Sequence, residues 1–153
     1  FYEIKSPDHE VQMKMIHVDG ARLVTGFATT VVDESVEMCA ANEYFDSRVF
    51  RRNAKKNGIT NVDIVNINEH SYYYFTTRKI LGTMLHLREG RNIFTWMKGD
   101  YGKIYISVTD TKDLSEDYPV KSGNILGSAQ TFWSFEPLSP IGVVAQTAVT
   151  MVT

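Results

Sequence analysis

Alternation of hydrophobic and polar residues predicts strands over most of the chain. Successive side chains of a strand point to opposite faces, so a strand with one buried face alternates. Near the start, the pattern predicts strands at 12–18 and 22–32, joined at Asp19-Gly20, a dipeptide typical of hairpin turns. After Gly58 it predicts six more strands, at 62–67, 71–78, 87–98 with a break at Glu89-Gly90, 103–109, 125–136 and 143–153. A turn at 99–102 and a loop at 110–123 separate the later strands.

Between residues 33 and 58 the hydrophobic period changes from that of a strand to that of a helix. Asp33-Glu34-Ser35 supplies capping side chains for a first helix. The helix's apolar stripe consists of Val36, Cys39, Ala40 and Tyr44. A second helix is predicted at 46–57, ended by Gly58, and its basic side favours a solvated surface over a lipid or acidic partner. The predicted order is therefore ββαα followed by about six strands, in the α+β class.

Composition is that of one globular domain. The chain has 153 residues, 43% of them hydrophobic and 22% charged. We predict a domain at 12–153 and a leading segment at 1–11. Aromatic residues make up 12% and concentrate in the strand segments, which favours a sheet with a large apolar face.

The net charge and the spacing of functional residues argue against several classes of function. The net charge of −2 does not favour nucleic acid as a partner. A single cysteine, Cys39, favours a reducing, cytoplasmic location. The longest apolar stretch is far shorter than the ~20 residues of a spanning helix. Four scattered histidines have no metal-ligand spacing, and we find no acid/base pair facing a cavity, so we predict no metal, no cofactor and no enzymatic activity.

The final quarter of the chain forms an aromatic hairpin. Trp133 and Phe135 lie on one face of its first strand, a Pro/Gly corner spans 137–142, and a second strand runs to Thr153. An apolar edge strand needs a cover. We therefore expect a further long helix after Thr153.

Two segments resemble the START (StAR-related lipid transfer) domain. Residues 24–45 are similar to the passage from the second strand to the first helix, and residues 132–150 resemble the last strand pair of START-like proteins of protists and algae. The resemblance covers residues 12–153 and implies a helix-grip fold, also called START/Bet v 1-like. This fold is a curled antiparallel sheet around a lipid cavity, closed by a C-terminal helix that is absent from this chain. The domain would then be truncated at its C-terminus.

The resemblance implies non-enzymatic binding, transfer or sensing of a lipid or other hydrophobic ligand. By strand alternation, the inward side chains would be Ile104, Ile106, Val108, Trp133 and Phe135. Alternation alone leaves open whether they line a cavity or fill a solid core, and the resemblance favours the cavity. The alternative function is a START-like fold reused as a protein-interaction or assembly module, whose partner covers the concave face or the terminal strand.

Overall fold

The computed structural model describes residues 2–17, 24–45, 58–79 and 86–153. Within these ranges there are ten strands, one α-helix and a short 3₁₀ turn at Asp100–Gly102. The helix α1 spans Val36–Phe45. The strands are β1 Tyr2–Ile4, β2 Gln12–His17, β3 Val24–Val32, β4 Ile59–Asn68, β5 Ser71–Arg78, β6 Arg88–Lys98, β7 Ile104–Asp110, β8 Ile125–Leu126, β9 Thr131–Ile141 and β10 Val144–Val152.

Helix α1 begins where the capping residues predict. The Ser35 hydroxyl accepts a hydrogen bond from the Met38 amide at 3.3 Å, and the Glu34 carboxylate accepts one from the Ser35 amide at 2.8 Å. These side chains pair with amides that have no acceptor inside the helix. The apolar stripe is buried at Val36, Ala40 and Tyr44, whereas Cys39 is only half-buried.

Several strand boundaries differ from the sequence prediction. The leading segment contains β1, which pairs with β2. Strand β6 runs without a break at Glu89-Gly90. The stretch predicted as one strand at 125–136 is two, β8 and β9. The Asp19-Gly20 turn and the helix at 46–57 lie outside the described residues.

The largest boundary difference is in the terminal hairpin. Strand β9 continues through Pro137 and Pro140, so the turn falls at Gly142 and Val143 instead of along the whole Pro/Gly corner. Proline is tolerated where a strand has a free edge. Lys103, the residue before β7, forms an ion pair with Glu136, so the part of β9 after Glu136 extends past the start of β7.

The strands are hydrogen-bonded in the order β1-β2-β3-β10-β9-β7-β6-β5-β4, and β8 pairs with β6. Each pair for which the register is resolved is antiparallel except β6 with β8, which is parallel. The chain contacts divide into two compact units. Unit 1 comprises Phe1–Tyr44, Trp96–Ser107 and Thr131–Thr153; unit 2 comprises Phe45–Thr95 and Val108–Gln130.

Unit 1 contains α1, the strands β1, β2, β3, β9 and β10, and the adjoining parts of β6 and β7. Its terminal strand β10 is paired on both sides, with β9 and with β3. Thr153 and Gly26 exchange backbone hydrogen bonds of 2.7 and 3.0 Å. The terminal strand therefore lies inside the sheet and is not the bare edge that the sequence suggested.

Unit 2 contains β4, β5, β8, most of β6 and the end of β7. The predicted loop after β7 is present, and it packs on one face of β5 and β6. The Tyr118 ring packs against Phe75, tilted by 33° with 4.9 Å between ring centroids, and the Tyr73 hydroxyl donates to Asp113 at 3.0 Å. These contacts hold the loop against the strands.

Candidate functional site

The orientation of β7 and β9 can be read from contacts on one face of unit 1. Tyr105 and Phe132 stack with ring centroids 5.6 Å apart, and the Lys103–Glu136 ion pair of 2.9 Å lies on the same side. Since side chains alternate along a strand, the residues that come between these in the sequence of β7 and of β9 point to the opposite face. That face, which we call the Trp133 face, carries the predicted side chains Ile104, Ile106, Trp133 and Phe135.

The predicted residues on the Trp133 face are not equally accessible. Ile106 is 0% exposed and Phe135 is 2% exposed, whereas Trp133 is half-buried. The rings of Trp133 and Phe135 lie nearly parallel, at 10° with centroids 6.2 Å apart. Val108 is buried and continues the same side of β7 by alternation, although its position falls in unit 2. Trp133 is thus the member of the set with the most surface to offer a ligand.

Strand β10 and helix α1 complete the Trp133 face. Val149 and Met151 of β10 lie opposite Phe135 and Trp133, respectively, and so extend the same apolar surface. Thr147, on the same side of β10, is fully buried and donates a hydrogen bond of 2.7 Å to the Glu34 carbonyl at the start of α1. This bond fixes the helix end over the sheet.

Cys39 lies beside this junction, in surroundings that disfavour its thiolate form. Burial raises the pKa of its thiol, the Thr147 hydrogen bond acts in the opposite direction, and the Glu34 charge raises the pKa further. A thiol with a raised pKa stays protonated and unreactive at neutral pH.

Unit 2 contains a second feature, which the sequence prediction missed. A cleft of about 240 Å³ opens between β4, β5 and β6 and the loop after β7. Its floor is made of two cross-strand rows, Asp63–Phe75–Arg91 and Asn61–Thr77–Glu89. The opposite wall consists of loop residues Asp117, Tyr118, Pro119 and Lys121. We name this site the Arg91 cleft.

Two buried charges lie side by side in the cleft floor. Glu89 accepts hydrogen bonds from the Lys121 amide at 3.0 Å and from the Asn124 side-chain amide. Arg91 donates through Nη2 to the Leu114 carbonyl at 3.3 Å and lies over the Phe75 ring at 5.0 Å. The sequence signal that could have revealed this site is the pair Glu89 and Arg91 on β6. They are two residues apart in a strand, so alternation places both charged side chains on the same face.

The opposite face of unit 2 is aromatic. Tyr74 is buried there, with its ring edge-on to Phe94 at 5.3 Å. Asn92 shares this face and donates to Asp110 at 3.1 Å, and Asp110 lies on the same side of β7 as Val108. Val108 therefore points away from the Arg91 cleft.

The burial of Tyr74 predicts a loss of stability in alkali. Burial raises the pKa of Tyr74, and the positive charge of Arg78 opposes the shift only in part. A raised folded-state pKa means that stability is fully present below the unfolded pKa of about 10 and is lost as pH rises above it. We expect the free energy of unfolding to fall above pH ~10 and to fall less steeply in Tyr74→Phe.

Urea unfolding at several alkaline pH values, followed by circular dichroism, measures this slope. Tyr101→Phe is the control, because Tyr101 is 91% exposed and its ionisation costs no burial. Equal slopes for Tyr74→Phe and the unsubstituted protein would contradict the assignment.

Comparison with known proteins defines the fold. No protein-family model matches the sequence, and neither does any curated protein sequence. Among solved structures, a STAR-related lipid transfer protein from Xanthomonas axonopodis gives a TM-score of 0.73 at 14% identity, over 97% of this chain and 78% of that one. Human STARD10 gives 0.73 at 12% identity, over 98% and 58%. Human StAR-related lipid transfer protein 5 gives 0.69 at 14% identity, over 97% and 69%.

The chain therefore has a START-like fold, and the helix-grip class that the START resemblance implied is confirmed. The second helix of the predicted ββαα order remains outside the described residues. In the described ranges, no helix has the length and apolar character needed to cross a membrane. These ranges also contain no group of three or more His, Cys, Asp or Glu side chains placed to hold a metal ion.

Proposed function

We propose that this protein binds a lipid or another hydrophobic ligand, without catalysing a reaction on it. The observation that carries the proposal is the START-like fold combined with an apolar Trp133 face. Two of the similar solved structures, one of them from Xanthomonas axonopodis, are lipid transfer proteins by name. Transfer of a lipid between membranes, or sensing of its level, would be the biological use of such binding.

The Trp133 face has the chemistry that a hydrophobic ligand requires. Its proposed contact residues are four of the five predicted from the sequence, Ile104, Ile106, Trp133 and Phe135; the fifth, Val108, belongs to unit 2. The half-buried Trp133 ring offers surface to the ligand, and the buried residues hold that ring in place. Each 100 Å² of apolar surface removed from water would contribute about 2.5 kcal/mol.

The side chains around the Trp133 face favour binding over catalysis. The nearest thiol, Cys39, has a raised pKa, and Thr147 is committed to the Glu34 carbonyl. The Lys103–Glu136 pair points to the opposite face. The residues of this face therefore provide apolar contact and not an acid/base pair.

Ligand capture can be measured directly. The protein is incubated with phosphatidylcholine vesicles, separated from them and analysed by native mass spectrometry. We expect a retained lipid mass in the unsubstituted protein and its loss in Trp133→Glu, because a carboxylate on the Trp133 face would need to be desolvated by an apolar ligand. Trp133→Phe should retain the lipid.

Phe132→Glu is the matched control, since Phe132 is the neighbouring residue on the opposite face and is 41% exposed. It should leave capture unchanged. If the folded, unsubstituted protein retains no hydrophobic molecule from vesicles or from the expression host, the proposal is wrong. The alternative, a START-like interaction module, would then be favoured.

A further inference from the structure

We infer that the Arg91 cleft is a second binding site, for the oxyanion of a compact ligand: a carboxylate or a phosphate. The inference does not rest on lipid binding at the Trp133 face. Within unit 2, the cleft opens on the face of β6 opposite the side of β7 that carries Val108. The Arg91 cleft and the Trp133 face share no residue, so the two sites can be tested separately.

The donor set of Arg91 is the first observation. The side chain is 6% exposed, and within the described part of the chain its Nε–H group is buried without a hydrogen-bond acceptor. Through Nη2 the side chain donates to the Leu114 carbonyl at 3.3 Å. A guanidinium has five donors and no acceptor, so the partner that suits the remaining donors is an acceptor such as an oxyanion.

The neighbouring carboxylate forms no ion pair with Arg91 in the described ranges. Glu89 lies two residues away on the same face, but it accepts from the Lys121 amide and the Asn124 side chain. In the ranges that the structure covers, the ion pairs involve other residues than Arg91. The guanidinium is thus buried, takes part in none of these ion pairs and is oriented by protein contacts.

Phe75 restricts the orientation of the Arg91 guanidinium before an anion binds. The Arg91 guanidinium lies 5.0 Å from the centroid of the Phe75 ring, and Tyr118 packs against that ring from the loop. Stacking on an aromatic ring restricts the guanidinium, so less conformational entropy is lost when it forms hydrogen bonds.

The volume and the charged side chains of the cleft restrict the size and the charge of the ligand that it can bind. Its volume of about 240 Å³ is below the ~300–1,000 Å³ of ordinary ligand pockets. It holds a headgroup-sized molecule and not a lipid chain. Asp63 and Asp117 also line the cleft, but both are exposed, so solvent screens their repulsion more than it screens the attraction of buried Arg91. A monoanion is therefore favoured over a dianion.

Titration followed by nuclear magnetic resonance tests this inference. The Nε–H resonance of Arg91 is monitored while acetate, inorganic phosphate or dimethyl phosphate is added, with sodium chloride at equal ionic strength as reference. We expect a saturable shift of this resonance with at least one oxyanion and none with chloride. A preference for dimethyl phosphate would indicate a lipid headgroup, and a preference for acetate or inorganic phosphate a free small anion.

Substitutions give a second readout. Arg91→Lys keeps the charge but loses the planar fork, so binding should weaken by about tenfold or more. Arg78→Lys is the control, because Arg78 is exposed at the end of β5 and should leave binding unchanged. Asp63→Asn removes a rim charge and should tighten binding.

If Arg91→Lys does not fold, the titration of the unsubstituted protein and of Asp63→Asn decides. A non-saturable shift, or one that chloride reproduces, overturns the inference. Equal affinities for Asp63→Asn and the unsubstituted protein would also place the anion elsewhere.

Discussion

Replacing Phe135 with alanine is expected to lower the free energy of unfolding by about 3–5 kcal/mol. Phe135 is 2% exposed, stacks with Trp133 and lies opposite Val149 of β10. Alanine would remove a large apolar side chain and leave a cavity between well-paired strands that cannot collapse to fill it. Urea unfolding monitored by circular dichroism measures the difference.

Phe132→Ala is the matched control for Phe135→Ala. Phe132 has the same side chain on the same strand, but it points to the other face, is 41% exposed and stacks with Tyr105. Loss of that pair should cost about 1 kcal/mol. Similar losses for the two variants would show that the assigned faces of β9 are wrong.

Replacing Glu89 with alanine is expected to cost about 3 kcal/mol and to release the loop after β7. The buried Glu89 carboxylate accepts from the Lys121 amide and the Asn124 side chain, and bonds to a charged group contribute about 1.5–3 kcal/mol each. Without the carboxylate, the Lys121 amide and the Asn124 side chain lose their acceptor. The loop should then open locally before the strands unfold.

Limited trypsin digestion detects this release, because Lys112 and Lys121 are exposed cleavage sites on the loop. We expect faster cleavage there in Glu89→Ala, an intermediate rate in Glu89→Gln, which keeps an acceptor oxygen, and an unchanged rate in Glu116→Ala. Glu116 is exposed, so its loss should change stability by no more than about 0.5 kcal/mol. Unchanged loop cleavage in Glu89→Ala would show that other contacts hold the loop.

The sequence predicted local structure best where hydrophobic residues recur with the regular period of a strand or a helix. The alternation of Ile104, Ile106 and Val108 defines β7 and its buried side, and the stripe Val36–Tyr44 with Ser35 before it defines α1. These features depend on residues near in sequence, so they can be read without knowledge of the fold.

Prediction failed where a residue's environment depends on distant strands. The prolines of β9 suggested a corner, but β9 extends past the start of β7, where a free edge accepts proline. The Glu89-Gly90 pair suggested a break, but β5 pairs with β6 across both residues. In the same way, the partners of Glu89 and Arg91 come from a loop more than 20 residues later in the chain.

By itself, the sequence determined the α+β class, most strands and the first helix, because periodicity is a local property, and its resemblance to START domains predicted the helix-grip fold. Only the tertiary structure decided the surroundings of the aromatic hairpin. It placed β10 between β3 and β9, paired on both sides. It also brought Asp63, Phe75 and Arg91 into one row, because cross-strand register depends on pairing between segments far apart in the chain.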